Sequence, residues 1–188
     1  MYYSKVNLTI NHDWARTKSM MKNLLALRNK VDPEEYGSSD HYNLKSLGTV
    51  SDHRCSKEWN RVAGPSINGT MPWLQNMIKT FSPLNPDEGC ISYLNGVGAG
   101  HIDLPENKTA LNYIFDNSDE LAYTWIEYDG DKQTYSSEVG SAWLLDTQQM
   151  HGIENAGERW TLSIHFNSDY STVCAWFKEH PELVFGDK

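Results

Sequence analysis

From Gly89 to Phe166 the sequence is cut into short apolar or alternating runs, none long enough to be a core helix. The runs are Cys90 to Asn95, His101 to Leu104, Ala110 to Phe115, Ala122 to Tyr128, Ser141 to Leu145 and Arg159 to Phe166. Turn residues part them: Asn95-Gly96, Asn117-Ser118, Asp129-Gly130-Asp131 and Asn155-Ala156-Gly157. Five or six short strands in so short a span imply an antiparallel sandwich or barrel. The class is therefore mainly β, with flanking helices.

The flanks read differently. After Asn11-His12-Asp13, a natural cap, Trp14, Met21, Leu24, Leu25 and Leu27 recur at near-helical spacing up to Val31, where Asp32-Pro33 stops the run. Residues 32–69 are rich in Ser, Gly, Asn and Asp and read as loop, a length that fits a lid folding over a pocket. A second helix is expected from Thr70-Met71-Pro72 through Phe81, and a third from Ser171 to His180. The economical division is one domain: residues 1–88 helix and loop, 89–166 the β core, 167–188 a C-terminal helix and tail.

With 188 residues, such a domain needs no staple to fold. Its formal charge of -9 and lack of a Lys/Arg cluster argue against nucleic acid or an anionic membrane as partner. No apolar run approaches the ~20 residues a bilayer crossing demands, and MYYSKVNLTINHDW lacks the form of a secretory signal. Cys55, Cys90 and Cys174 lie far apart, without a CxxC, as expected of reduced thiols. A cytoplasmic location is the expectation, in which the three Asn-x-Thr sequons stay idle.

In the last run, Arg159, Thr161, Ser163 and His165 share one side, and Trp160, Leu162, Ile164 and Phe166 the other. The apolar side needs covering, by the N-terminal helices. The polar side is either a solvated face or the wall of a wet pocket.

His101-Ile102-Asp103 places an imidazole and a carboxylate on one side of a strand, within reach of one ion. Alone the pair means little: composition predicts about one chance His-x-Asp/Glu, and His180-Pro181-Glu182 is a second that reads as a helix end. Context raises it. The small residues Gly96 to Gly100 precede it and allow close approach of backbone to a ligand. His151 lies about fifty residues downstream, and Arg159 follows eight residues later. Two imidazoles and one carboxylate leave three sites of an octahedral Fe(II) open, the arrangement of non-haem iron oxygenases.

HIDLPENKTALNYIF and LLDTQQMHGIENAGERWTLSIHF together resemble the core of the Fe(II)- and 2-oxoglutarate-dependent dioxygenases. The likeness covers roughly 40% of the chain. It is closest to the proline hydroxylase and aspartyl/asparaginyl β-hydroxylase branch, and the presence of Asp103 inclines it toward the prolyl side. The resemblance implies a double-stranded β-helix, a cupin-like jelly roll. It implies Fe(II) held by His101, Asp103 and His151, with 2-oxoglutarate and O2 at the open positions. Arg159 would bind the distal carboxylate of 2-oxoglutarate, Thr161 would add a hydroxyl, and Tyr93 and Asn112 are further candidates for the same cosubstrate. The implied reaction hydroxylates a small-molecule or peptidyl amino-acid side chain of the Pro, Asp or Asn type and releases succinate and CO2.

Other classes fit parts of the pattern. A cupin-like barrel that binds metal or isomerises a sugar needs no carboxylate clamp such as Arg159. A zinc hydrolase would be supported by a helical HExxH, which this sequence lacks. In a purely structural β domain the polar strand face would be surface. His165, Trp125 and Trp143 read as wall or core. Substrate identity and oligomeric state stay open.

Overall fold

The computed structural model describes residues 2–28, 58–63, 71–87, 89–154 and 157–187. The chain opens with β1 (Tyr3–Val6) and β2 (Leu8–Asn11), then α1 (Trp14–Arg28), β3 (Glu58–Ala63) and α2 (Pro72–Thr80). The central run follows: β4 (Cys90–Asn95), β5 (Gly98–His101), β6 (Thr109–Asn117), β7 (Tyr123–Tyr128), β8 (Asp131–Ser136), β9 (Ala142–Asp146), β10 (Met150–Glu154) and β11 (Glu158–Phe166). Helix α3 (Tyr170–Glu179) and strand β12 (Leu183–Gly186) complete it.

Two sheets carry the fold, ordered β1-β9-β6-β11-β4-β3 and β5-β10-β7-β8. From β4 to β11 every connection except the β7–β8 hairpin passes from one sheet to the other. That winding is a double-stranded β-helix, the jelly roll. It sets the start of β11 in one sheet across from β5 and β10 in the other.

Alternation along β11 decides what each side of the larger sheet does. Trp160, Leu162, Ile164 and Phe166 are all but fully buried with Leu74, Met77 and Phe81 of the α2 region and Val173 and Phe177 of α3. The cover is thus not N-terminal alone; the C-terminal helix shares it. Phe81 meets the rings of Phe166, Trp176, Phe177 and Phe185 at centroid distances of 5.5–5.9 Å. Each such side chain contributes about 1.5–3 kcal/mol of burial. The opposite side of β11 faces the second sheet and lines a cavity of about 780 Å³, counted with its open mouth. The pocket, not the solvated face, is the structure's choice between the two readings.

Several expected elements move. Of residues 32–69 only 58–63 are described, and they form β3, paired antiparallel with β4 rather than looped; the remainder, and with it the lid hypothesis, lies outside the described residues. The α1 cap is Asp13, whose Oδ1 accepts the Arg16 N–H at 3.0 Å. At α2 the cap position is Met71, without a side-chain bond, and Pro72 opens the helix. Asp169, not Ser171, precedes α3. His180 closes α3 by donating to the Trp176 carbonyl at 2.8 Å, so the second His-x-Glu is a helix end. No disulfide joins the described cysteines Cys90 and Cys174, and no described helix is long and apolar enough to cross a membrane.

Candidate metal centre

Strand β10 lies between β5 and β7, and its register sets His151 directly opposite His101. The two rings face each other with centroids 4.4 Å apart. β5 ends at His101 rather than running to Leu104, so the sheet does not carry Asp103. A backbone bond does instead: the Asp103 N–H donates to the Thr147 carbonyl at 3.0 Å. Its Oδ1 then stands 3.5 Å from His101 Nε2 and 4.0 Å from His151 Nε2. Ligands held at ~2.1 Å from one ion can be no more than ~4.2 Å apart, so these two separations suit a shared cation. Among the described residues this is the one group of three His, Cys, Asp or Glu whose ligand atoms all lie within 4.8 Å of one another.

The state of His151 suits the same use. Its Nδ1 donates to the Gln149 carbonyl at 2.9 Å, which leaves the Nε2 lone pair facing the cluster. Burial, with the neighbouring His101, pushes its pKa down to about 4 against the pull of Asp103. The ring is therefore neutral at pH 7 and competent to bind a metal. The donor set of two imidazoles and one carboxylate fits Fe(II) with open positions.

Trp125 braces the two histidine strands from outside. A Cβ on Gly152 would lie 2.6 Å from Trp125 Cζ2 and 2.9 Å from the Gly98 carbonyl oxygen, and one on Gly100 would lie 2.6 Å from Trp125 Cη2. Gly100 of β5 and Gly152 of β10 thus make room for an indole, whereas Gly98 lines the cavity. Gly152→Ala is expected to cost about 1–3 kcal/mol through overpacking and to weaken metal binding by displacing its neighbour His151. Thermal melting and a Co(II) titration check both effects.

Arg159 stands across the cavity, at the start of β11, and is 2% exposed. Its Nε donates to Thr161 Oγ1 at 3.3 Å and its Nη1 to Thr124 Oγ1 at 3.1 Å. Thus the described residues accept two of its five N–H groups. No described carboxylate pairs with it, although burial brings its pKa down only to about 10 and it stays charged at pH 7. Such a charge is costly to bury without a partner.

The cavity also holds two of the other sequence candidates. Thr161 lines it, and so does Asn112, whose Oδ1 accepts from Ser163 Oγ at 2.7 Å. Tyr93 is a correction. It belongs to the other face of β4, since its neighbours Ser92 and Leu94 face the cavity. Its ring packs on Trp160 with centroids 4.6 Å apart, and its hydroxyl reaches toward Glu158 on the helix side.

Sequence reasoning missed Tyr135 and Thr124. Tyr135 is buried beside Arg159, Thr124 and Asn112, and its hydroxyl makes no hydrogen bond of good geometry among the described residues. Burial raises its pKa, so it stays a neutral donor. It comes from β8, whose sequence DKQTYS has no apolar alternation to reveal a strand. His165 and Asp87 form a further pair at the cavity wall, with Nδ1 and Oδ2 at 3.1 Å.

No protein-family model and no curated protein matches the chain. Solved structures do. A Trichoplax adhaerens prolyl hydroxylase, in complex with a peptide fragment of the hypoxia inducible factor oxygen degradation domain, superposes with a TM-score of 0.55. It is 12% identical and aligns over 91% of this chain and 86% of its own. A Pseudomonas putida prolyl-4-hydroxylase gives a TM-score of 0.49 at 12% identity, over 88% and 92% of the two chains. The fold is that of the prolyl hydroxylases. At this identity the likeness belongs to the fold, and the site must be argued from its own residues.

Proposed function

We propose that the chain is an Fe(II)- and 2-oxoglutarate-dependent dioxygenase that hydroxylates an amino-acid or peptidyl side chain. The observation that carries this reading is Arg159: a buried guanidinium without a described carboxylate partner, in the same cavity as the His101, Asp103, His151 cluster. A cation centre at one end and an unsatisfied fixed charge at the other suit a dicarboxylic acid that chelates metal through its keto-acid end. A barrel that bound metal without such a ligand would have no use for Arg159.

Each residue then has a task. His101, Asp103 and His151 would hold the iron, with the Gln149 carbonyl fixing the His151 tautomer. Arg159, with its guanidinium oriented by Thr124 and Thr161, would grip the far carboxylate of 2-oxoglutarate in a dry environment, where charge-assisted bonds are strong. Asn112, which lines the same cavity, and Tyr135, buried beside Arg159, would add hydrogen bonds there. Bound iron would supply O2 activation coupled to decarboxylation of the keto acid, the hard chemistry that side chains cannot do. The protein's part is to orient, to exclude water and to leave the mouth open for substrate. The peptide complex of the Trichoplax enzyme supports an amino-acid or peptidyl substrate of the prolyl type. The same reading takes the chain as a single catalytic domain acting in the cytoplasm.

Anaerobic addition of Fe(II) and 2-oxoglutarate tests the reaction class before any substrate is known. A visible charge-transfer band is expected, followed by succinate on admitting air. Stoichiometric iron binding without that band would refute the proposal.

A further inference from the structure

Residues 102–108, which carry Asp103, belong to no strand: β5 ends at His101 and β6 begins at Thr109. Burial does little to fix their path, because the apolar members Ile102 and Leu104 are 53% and 63% exposed. Hydrogen bonds do that work, and most of them run to one place, the turn between β9 and β10. The Asp103 N–H donates to the Thr147 carbonyl at 3.0 Å, and the Thr147 N–H to the Lys108 carbonyl at 3.2 Å. Thr147 Oγ1 donates to the Asn107 carbonyl. Gln148 reaches across with its side chain: Nε2 donates to the Asn107 carbonyl at 3.1 Å and to the Leu104 carbonyl at 3.3 Å. Both partners are acceptors only, so the amide nitrogen must face them, one N–H to each. The turn is itself pinned. Asp146 accepts the Gln148 N–H at Oδ1, 3.1 Å away, and the Gln149 Nε2 at Oδ2, 3.3 Å away.

We propose that Gln148 is a positioning residue of the metal centre: its amide ties Leu104 to Asn107 and so fixes the loop that presents Asp103 to His101 and His151. The inference rests on reading those three residues as the ligands and is independent of the cosubstrate. The two imidazoles are set by paired strands, β5 and β10, and need no such help. The carboxylate alone stands on a segment outside the sheet. A loop free to sample other paths would have to be ordered when the cation binds, and that cost appears as lost affinity. Groups that orient a ligand in advance typically change metal affinity by about 10–100-fold.

The test uses the full chain without 2-oxoglutarate and reads amide exchange, Co(II) affinity and the visible ligand-field spectrum. Gln148→Met keeps the length of the side chain and removes its donors. The Asp103 amide is expected to exchange about tenfold faster while the amides of β11 keep their rates, since the core is untouched. Co(II) binding should weaken by about tenfold, the low end of the range because Gln148 acts through backbone, and the spectrum should change. The melting temperature should fall by no more than about 2–6 °C, because water can replace a half-buried amide. Thr147→Val removes the other donor to Asn107. Combined with Gln148→Met it should cost more than the sum of the two, since either donor alone still holds that carbonyl. Gln148→Ala supplies the same readouts should Gln148→Met fail to fold. Unchanged Co(II) affinity and spectrum in a folded Gln148 variant would overturn the proposal, whatever the exchange rates, and leave the ligand assignment intact. Faster exchange spread equally over β11 would make Gln148 a residue of general stability and overturn it too. A wild-type chain that fails to bind Co(II) overturns it together with that assignment. If Co(II) binds as expected but the iron and 2-oxoglutarate band is missing, only the oxygenase reading falls.

Discussion

Arg159→Met is expected to weaken 2-oxoglutarate binding by about a hundredfold or more, the loss of two charge-assisted hydrogen bonds in a buried site. Iron affinity should change by less than about threefold, because the guanidinium has no part in the His101, Asp103, His151 cluster. The same substitution should leave the melting temperature of the cosubstrate-free protein unchanged or higher. The wild-type chain buries a charge with only two threonine hydroxyls as described acceptors, and replacing a buried ion by an apolar side chain of similar volume is often neutral or stabilising by about 1–4 kcal/mol. Saturating 2-oxoglutarate should then raise the wild-type melting temperature by mass action and leave the variant's where it was. Calorimetry and thermal melts read all of these. A variant that melts several degrees lower and still binds 2-oxoglutarate normally would make Arg159 a structural residue.

Larger still is the effect expected of His151→Ala or His101→Ala. Removing one of three ligands should cost on the order of several hundredfold in metal affinity, a third of a binding free energy of roughly 10 kcal/mol. The charge-transfer band and succinate production should both vanish. Far-ultraviolet circular dichroism should not change, because both rings line an open cavity rather than the packed layer under the helices. Asp103→Ala should also be severe, though its backbone bond to Thr147 leaves the loop in place. Turnover at the wild-type rate in either histidine variant would remove the metal assignment.

Much of this was readable from residue order alone, and the reason is local. The period-2 alternation of Arg159 to Phe166 separates a wet wall from a dry one because the register irregularity beside it falls on β6, which spends an extra residue between Asp116 and Ile114. Alternation along β11 therefore survives intact. The same rule, left unapplied, accounts for Tyr93: as a neighbour of Ser92 and Leu94 it must face away from whatever they face. What could not be read depends on distant partners. β1 pairs with β9 and β2 runs parallel to β12, so those strands form only because residues near the far end of the chain complete them. Leu8 and Ile10 do alternate with exposed Thr9 and Asn11, but over four residues that pattern is too short to stand alone. β10 hides behind Gly152, a residue that ordinarily weakens a strand; here the space it leaves is taken by Trp125. The acceptors of Arg159 show the same divide. Thr161 follows it by two residues and was visible, whereas Thr124 lies 35 positions away on another sheet.

The winding of the two sheets has a consequence for selectivity. The imidazoles stand on one sheet and the guanidinium on the other, and packed sheets keep a spacing of about 10 Å that side-chain changes hardly alter. On the proposed reading, discrimination between shorter and longer diacids would be vested in the backbone, which would act as a fixed caliper, and a diacid gripped at both jaws would double as a crossbar that resists their parting.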